Sequence, residues 1–421
     1  MPPRPYQVLA GLYIAQAIPL YLVAAAIPPI LRERGVDLAL IGSFGVLIAP
    51  WALKFLWAPL VDRYGRRRTW IVAMQGLTLA GIACLSQLDP VEDIGLFFPI
   101  LFLMSFCSAT QDIATDAFAV EHLTPERHAG GSAIQSGAIA GGVLLGGSLT
   151  LFVYDQTGWE VAVLGAGCLS LLATLPILFV NESRAIRAGV PERRRPSFRA
   201  FTARPGALAV LGFALLFRLP EGLIKAVEQA FLVDMGFSLT KIGLISGGAA
   251  ACVGLAGSAA GVVIIRSMGL SPFLWAIIAL RTLCFAGYAL AAQQGAADAV
   301  MIGLSALNTF SRYMEIVGLY AAFMRVASLD QAGTDFTILA SASLLTYTVG
   351  SMAAGMLAST FGYAVLFTLA TILSLIAGAM AMRLATSLSI YGERTHAPEI
   401  SLPDRLHRRA DGRTGGGTRR R

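Results

Sequence analysis

Asp112 and Asp116 lie inside one apolar run, Leu101–Val120, which reads LFLMSFCSATQDIATDAFAV. Four residues apart, they share one helical face, with Ser105 and Ser108 near it and Gln111 in the same run. A carboxylate in the bilayer interior costs roughly a few kcal/mol or more. Two on one face need a water-filled cavity, a partner cation, a proton or a substrate. The other reading puts them at the mouth of the membrane, solvated or paired for structure. Proton exchange and cation holding are the chemistry such a pair can do.

Further polar side chains interrupt other apolar runs. Lys54 sits in WALKFLWAPL, between Trp51 and Trp57, at a depth matching Asp112 or Asp116. It either pairs with one of them or extends its ammonium to the basic surface. In FRLPEGLIKAVEQAF, residues Arg218, Glu221, Lys225 and Glu228 follow i, i+3, i+7, i+10, one face of alternating sign. That face either lines a cavity or is a salt-bridge ladder that permits burial. Pro220 is expected to break the helix there and free backbone groups toward a cavity. Asn308, Arg312 and Glu315 repeat the theme at i, i+4, i+7, while Arg281 reads as structural. Gln16 and Gln135 read as hydrogen-bonding glue between helices. Gly141, Gly142, Gly146 and Gly147 read as small-residue packing that lets two bundles approach.

The elements that must hold these residues are membrane spans. A chain 56% hydrophobic and 14% charged, with mean hydropathy +0.68, is too apolar for a soluble enzyme. A span needs about 20 apolar residues. Twelve segments qualify: 7–30, 38–60, 69–87, 95–119, 131–154, 159–180, 207–232, 243–265, 272–291, 299–323, 337–358 and 363–385. The first follows only Arg4 and runs past the length of a cleavable leader. With both termini inside, 24 Lys and Arg face the cytoplasm and three (Arg32, Arg34, Lys241) face out. This skew satisfies the positive-inside rule and accounts for the net charge of +7 without nucleic acid.

The two halves repeat. GVDLALIG ending at Gly42 matches GFSLTKIG ending at Gly243, AGGSAIQSG from Ala129 faces AGTDFTILA from Ala332, and Gly158-Trp159 faces Gly362-Tyr363. A parallel repeat of this kind places two six-helix bundles about an axis along the membrane normal. The expected organisation is a first bundle over 1–181, a basic cytoplasmic linker over 182–205 containing PERRRP, a second bundle over 206–386 and a disordered cytoplasmic tail over 387–421.

The loop after the second span reads Ala58-Pro-Leu-Val-Asp62-Arg63-Tyr64-Gly65-Arg66-Arg67. It resembles the Gly-x-x-x-Asp-Arg-x-Gly-Arg-Arg signature of the major facilitator superfamily, with Ala58 in place of the usual glycine. The resemblance implies an all-α membrane protein with twelve transmembrane helices in two six-helix bundles. It also implies that Asp62, Arg63, Gly65, Arg66 and Arg67 form a gating loop that latches the bundles on the cytoplasmic side, and that spans one, four, seven and ten line the cavity. More narrowly, WALKFLWAPLVDRYGRRR, SATQDIATDAFAV and LTPERHAGGSAIQSG resemble the RhtX/FptX siderophore importers. The AmpG muropeptide permeases share the KFLWAPL…DR and QD…D patterns in weaker form.

The chain therefore reads as a secondary transporter of the bacterial inner membrane, multi-pass, with both termini cytoplasmic and working as a monomer. The resemblance implies proton-coupled import of a siderophore or similar small polar solute, with an AmpG-like muropeptide permease as the alternative and a drug exporter or a non-transporting membrane sensor ranked behind it. The substrate and proton residues expected are Gln111, Asp112, Asp116, Arg218, Glu221, Lys225, Glu228, Asn308, Arg312 and Glu315, with Lys54 as a possible ion-pair partner. No Walker loop or GxSxG is present, the five cysteines form no CxxC pair, and the four histidines lie in loops or the tail. No enzyme, cofactor or metal site is expected, and no nucleic-acid partner; the partners are a small siderophore-like solute, protons and the lipid bilayer.

Overall fold

A computed structural model describes residues 5–36, 44–64, 66–180, 196–238, 241–242 and 245–395, and among them the chain is helical with no strand. Gly65 of the expected gating loop, residues 182–195 of the expected linker and residues 396–421 of the expected tail lie outside the described residues.

The crossings are α1 (Pro5–Glu33), α2 (44–63), α3 (Arg67–Ser86), α4 (Ile94–His122), α5 (Pro125–Thr157), α6 (Trp159–Phe179), α7 (Ala207–Asp234), α8 (Gly247–Met268), α9 (Leu270–Gln294), α10 (Asp298–Val326), α11 (332–361) and α12 (363–395). Nine described helices are long and apolar enough to span by themselves. The other crossings have physical reasons for escaping that measure. Helices α11 and α12 run on as one helix except at Gly362, whose φ of 79° turns the chain. In α10, charged residues interrupt the apolar run.

Helix α2 is a chain of short pieces. The segments Ala49–Leu53 and Ala58–Arg63 each begin at a proline-bearing turn, Pro50 and Pro59, and a 3-10 turn at Lys54–Leu56 lies between them. Proline supplies no N–H to the preceding turn and starts a helix better than it continues one. The joint this leaves is where Lys54 stands.

The duplication has a backbone counterpart. Gly35 and Gly236 both take positive φ (85° and 88°), as do Gly158 and Gly362 (90° and 79°). A 3-10 turn, Pro125–Arg127, opens α5, and another, Leu329–Gln331, leads into α11. In the first half α1 packs on α4, α5 and α6, and α3 packs on α4; in the second α7 packs on α11, α9 on α12 and α8 on α10. The halves meet where α5 touches α8 and α10 and where α11 touches α2 and α4.

Three expectations change. Pro220 does not break α7: one helix runs from Ala207 to Lys225, and the break falls after it, before Glu228–Asp234. The glycines of α5 mostly serve packing inside the first half. A side chain at Gly146 would meet the Ile18 carbonyl oxygen at 2.2 Å, and one at Gly142 would meet Ala17 and Tyr21 of α1. The tail begins later than 387, because α12 stays helical to Thr395, short of the first proline at Pro398. The described end of the linker is also ordered: Phe198–Thr202 is a short helix, capped by Ser197 Oγ accepting from the Ala200 N–H (3.1 Å).

Candidate functional site: a charged cavity between the halves

A cavity of about 200 Å³ lies between α1, α2, α4 and α5 on one side and α10 and α11 on the other. Its charged wall is Lys54, Asp112 and Asp116, with Gln16 and Gln135 beside them and Tyr320 facing from α10. A second cavity of about 270 Å³ shares Leu20 and Ile48 with it and extends along α1 to Pro28 and along α2 to Phe44. The two follow one another away from the end of the molecule that carries Arg63 and Arg67.

The first-half charges form one network. Lys54 Nζ pairs with Asp112 Oδ2, and Gln16 Nε2 donates to Asp112 Oδ1. Asp116 Oδ1 accepts from Tyr13 Oη (2.8 Å) and Gln135 Nε2 (3.0 Å). Asp116 Oδ2 lies 3.7 Å from Lys54 Nζ and has no hydrogen-bond partner among the described residues. Lys54, Asp112 and Asp116 are 4%, 3% and 0% exposed, so Lys54 does not extend to the surface. The one-turn spacing puts both carboxylates on the α4 face turned to α1 and α2.

The second half carries a ladder across α7, α9 and α10. Arg281 Nη1 bonds Glu315 Oε2 (2.9 Å) and the Phe217 carbonyl (2.7 Å). Arg218 lies between Glu315 (3.6 Å) and Glu221 (3.3 Å), and Arg312 Nε reaches Glu221 Oε1 at 3.0 Å. Arg218 and Arg312 both lie over the Tyr347 ring, at 5.2 and 5.9 Å. Three cations against two anions leave one positive charge in excess. Arg312 is the most open of the five, with 26% of its side chain exposed.

Not every expected residue joins these groups. Because α7 breaks after Lys225, the i, i+10 face is not continuous. Lys225 and Glu228 form a separate cluster (2.7 Å), in which Glu228 also accepts from Tyr288 (2.7 Å) and Ser305 (2.8 Å). Gln111 and Asn308 are buried but do not line the cavity. Arg281, read as structural, is a full member of the ladder. Tyr13, Tyr320 and Tyr347 carried no sequence signal, since a tyrosine in a span is ordinary until its neighbours are known.

At the basic end Asp62 and Arg67 are buried while Arg63 and Arg66 are exposed. Arg67 Nη2 bonds Asp62 (2.6 Å) and Glu121 (2.8 Å). Asp62 in turn accepts from the backbone N–H of Gly333 (3.2 Å) and of Thr334 (2.6 Å), and from the Thr334 hydroxyl (2.5 Å). The start of α11 is also held from the other side, where Asp335 pairs with Arg204 and Gln331 accepts from the Ser197 N–H (3.1 Å). A carboxylate on the exposed N–H groups of a helix start is favoured by their partial positive charge. These bonds tie the two halves together at the end opposite the second cavity.

Residues 9–334 match the Major Facilitator Superfamily, and the chain belongs to that family of multi-pass membrane transporters. A Rickettsia conorii protein provisionally named transporter AmpG 4 is 26% identical, over 90% of this chain and 95% of its own length. The anhydromuropeptide permease of Escherichia coli K12 is 28% identical, over 67% of this chain and 59% of that permease. The crystal structure of a bacterial homologue of the iron transporter ferroportin, in an outward-facing state, superposes with a TM-score of 0.68 at 16% identity, over 92% of this chain and all of that one. At that identity the likeness is one of fold. None of these relatives bears the name of a siderophore importer.

Proposed function

We propose that this protein is a proton-coupled importer of cell-wall muropeptides in a bacterial inner membrane, with both termini cytoplasmic. The observation that carries the substrate class is similarity to an AmpG-named relative along nearly the whole of both chains. That makes muropeptide import the better-supported reading and displaces siderophore import from first place. Transport proceeds by rocking of two six-helix halves about the cavity between them. The basic end, tied by Asp62 to α11, is the cytoplasmic gate in its closed position, and the cavities lead to the periplasmic side.

The chemistry suits such a cargo. A muropeptide joins sugar hydroxyls and amides to a peptide with carboxylate and ammonium groups. The first-half wall supplies amides and an excess negative charge, and the second half supplies an excess positive charge through Arg312. Neither cluster needs to make or break a covalent bond.

Siderophore import remains the second reading, favoured by the first-half motifs WALKFLWAPLVDRYGRRR and SATQDIATDAFAV. Purified protein in proteoliposomes with an inward-directed proton gradient separates the two. Accumulation of radiolabelled anhydromuropeptide and not of ferric siderophore is the expected result. Accumulation of the siderophore alone overturns the substrate class, and accumulation of neither overturns both.

A further inference from the structure

We propose that the exchangeable proton is carried by Asp116, on Oδ2, with Lys54 as a counter-charge shared between Asp116 and Asp112. This deepens the proton-coupled reading above and rests on it.

The four oxygens of the two carboxylates are not equivalent. Both oxygens of Asp112 are engaged, one by the Lys54 ammonium and one by the Gln16 amide. On Asp116, two donors crowd onto Oδ1 and, among the described residues, none reaches Oδ2. A proton on Oδ2 therefore displaces no existing hydrogen bond. A proton on either oxygen of Asp112 competes with a bond already made, and it dissolves the pair with Lys54.

Charge counting points the same way. The titratable groups facing Asp116 are Tyr13 from α1, Lys54 from α2, Asp112 on its own helix and Tyr320 from α10, while Gln135 from α5 is neutral. With both carboxylates ionised the cluster holds one uncompensated negative charge on side chains that are almost fully buried. A proton on Asp116 leaves a neutral cluster, the Lys54–Asp112 pair beside a carboxylic acid. Occluding the cavity is cheaper in the protonated state, because burying an unpaired charge is costly.

The position also explains how the proton is felt across the seam. Gln135 donates to Asp116, and the next residue, Ser136, donates to the Tyr313 carbonyl on α10 (3.3 Å) and accepts from Ser258 on α8 (2.8 Å). Consecutive residues of α5 thus hold the carboxyl on one side and the other half of the molecule on the other. In the cycle, a proton from the open side binds Oδ2, the loaded cavity closes, and the same proton leaves to the opposite side. Lys54, 3.7 Å away, is then the shared cation for both carboxylates.

Infrared difference spectroscopy of the reconstituted protein, with no solute added, reads the protonated carboxyl directly across a pH titration. The wild type is expected to show a buried carboxylic-acid band that titrates and that Asp116→Asn removes. Retention of that band in the variant, or its absence from the wild type, overturns the assignment. Asp116→Glu keeps a titrating carboxyl and shifts the band, which covers the case in which the asparagine variant does not fold. In transport, Asp116→Asn is expected to lose the dependence of anhydromuropeptide accumulation on the proton gradient. A dependence equal to the wild type overturns the proposal and leaves the transport reading standing. Failure of the wild type to accumulate the solute counts against that reading, while the infrared measurement still decides the role of Asp116.

Discussion

Asp62 at the end of α2 accepts two hydrogen bonds from Thr334 at the start of α11, one from its backbone N–H at 2.6 Å and one from its hydroxyl at 2.5 Å. The residues are 272 apart in the chain and belong to opposite halves. The same carboxylate also holds Arg67, so one side chain anchors its own loop and the far half together. Hydrogen bonds to a charged group are worth about 1.5–3 kcal/mol each. Asp62→Ala is expected to release the start of α11 and favour opening of the basic end. The check is maleimide labelling of a cysteine placed at Ser328, whose rate should rise about ten-fold for each 1.4 kcal/mol of latch lost. An unchanged rate would mean that the packing of α11 on α2 and α4 holds this end closed without Asp62.

The ladder predicts an asymmetric response to mutation. Arg281 is 1% exposed and makes bonds to Glu315, the Phe217 carbonyl and Ser374. Arg281→Met leaves Glu315 with Arg218 at 3.6 Å and strands the other partners. Removing one member of a buried pair costs about 3–5 kcal/mol. A thermal unfolding scan in detergent should show a fall in midpoint for Arg281→Met, and a smaller fall for Arg281→Met with Glu315→Leu. Additive losses in the double variant would mean that the two side chains are not energetically coupled.

The membrane spans were legible because the bilayer imposes length and apolarity on each: most observed ends fall within four residues of those expected, while α5 starts six residues earlier (125 against 131) and α12 runs ten further (395 against 385). The Lys54–Asp112 pairing was legible for a related reason: a charge in hydrocarbon needs a partner, and few were available at that depth. The break in α7 was not. Proline at 220 is the residue a sequence offers for a break, yet Glu228 is held by Tyr288 of α9 and Ser305 of α10, and the helix yields next to that anchor instead. Which oxygen of Asp116 stays bare was equally hidden, since it depends on Tyr13 and Gln135 arriving from two other helices.

Two glycines distinguish close approach from mere smallness. A Cβ at Gly146 would sit 2.2 Å from the Ile18 carbonyl oxygen, and backbone cannot move aside as a side chain can. A Cβ at Gly165 meets nothing within 4 Å. Gly146→Val is expected to push α5 off α1, costing about 1–3 kcal/mol or more by overpacking, while Gly165→Ala should leave the unfolding midpoint in place. Yield and monodispersity in detergent read both, and equal behaviour of the two variants contradicts the α1–α5 contact.

The Lys54 triad makes the sharpest demand on a double variant. Lys54→Met removes the only cation in contact with either carboxylate among the described residues. Two ionised carboxylates one turn apart on α4 then face each other without compensation, and the protein is expected to lose about 3–5 kcal/mol of stability together with the gradient-driven uptake proposed above. Asp112→Asn in the same chain removes one of the two uncompensated carboxylates and leaves Asp116 with Tyr13 and Gln135. Folding should recover in the double variant, read as the return of the unfolding midpoint toward the wild type. Asp112→Asn alone leaves Lys54 3.7 Å from Asp116, and the ammonium is expected to move onto Oδ2. That single variant should stay folded while its uptake loses sensitivity to the proton gradient, because the cation then occupies the position the proton needs. If Lys54→Met is as stable as the wild type and Asp112→Asn retains full gradient dependence, the lysine is not the shared counter-charge of the two carboxylates.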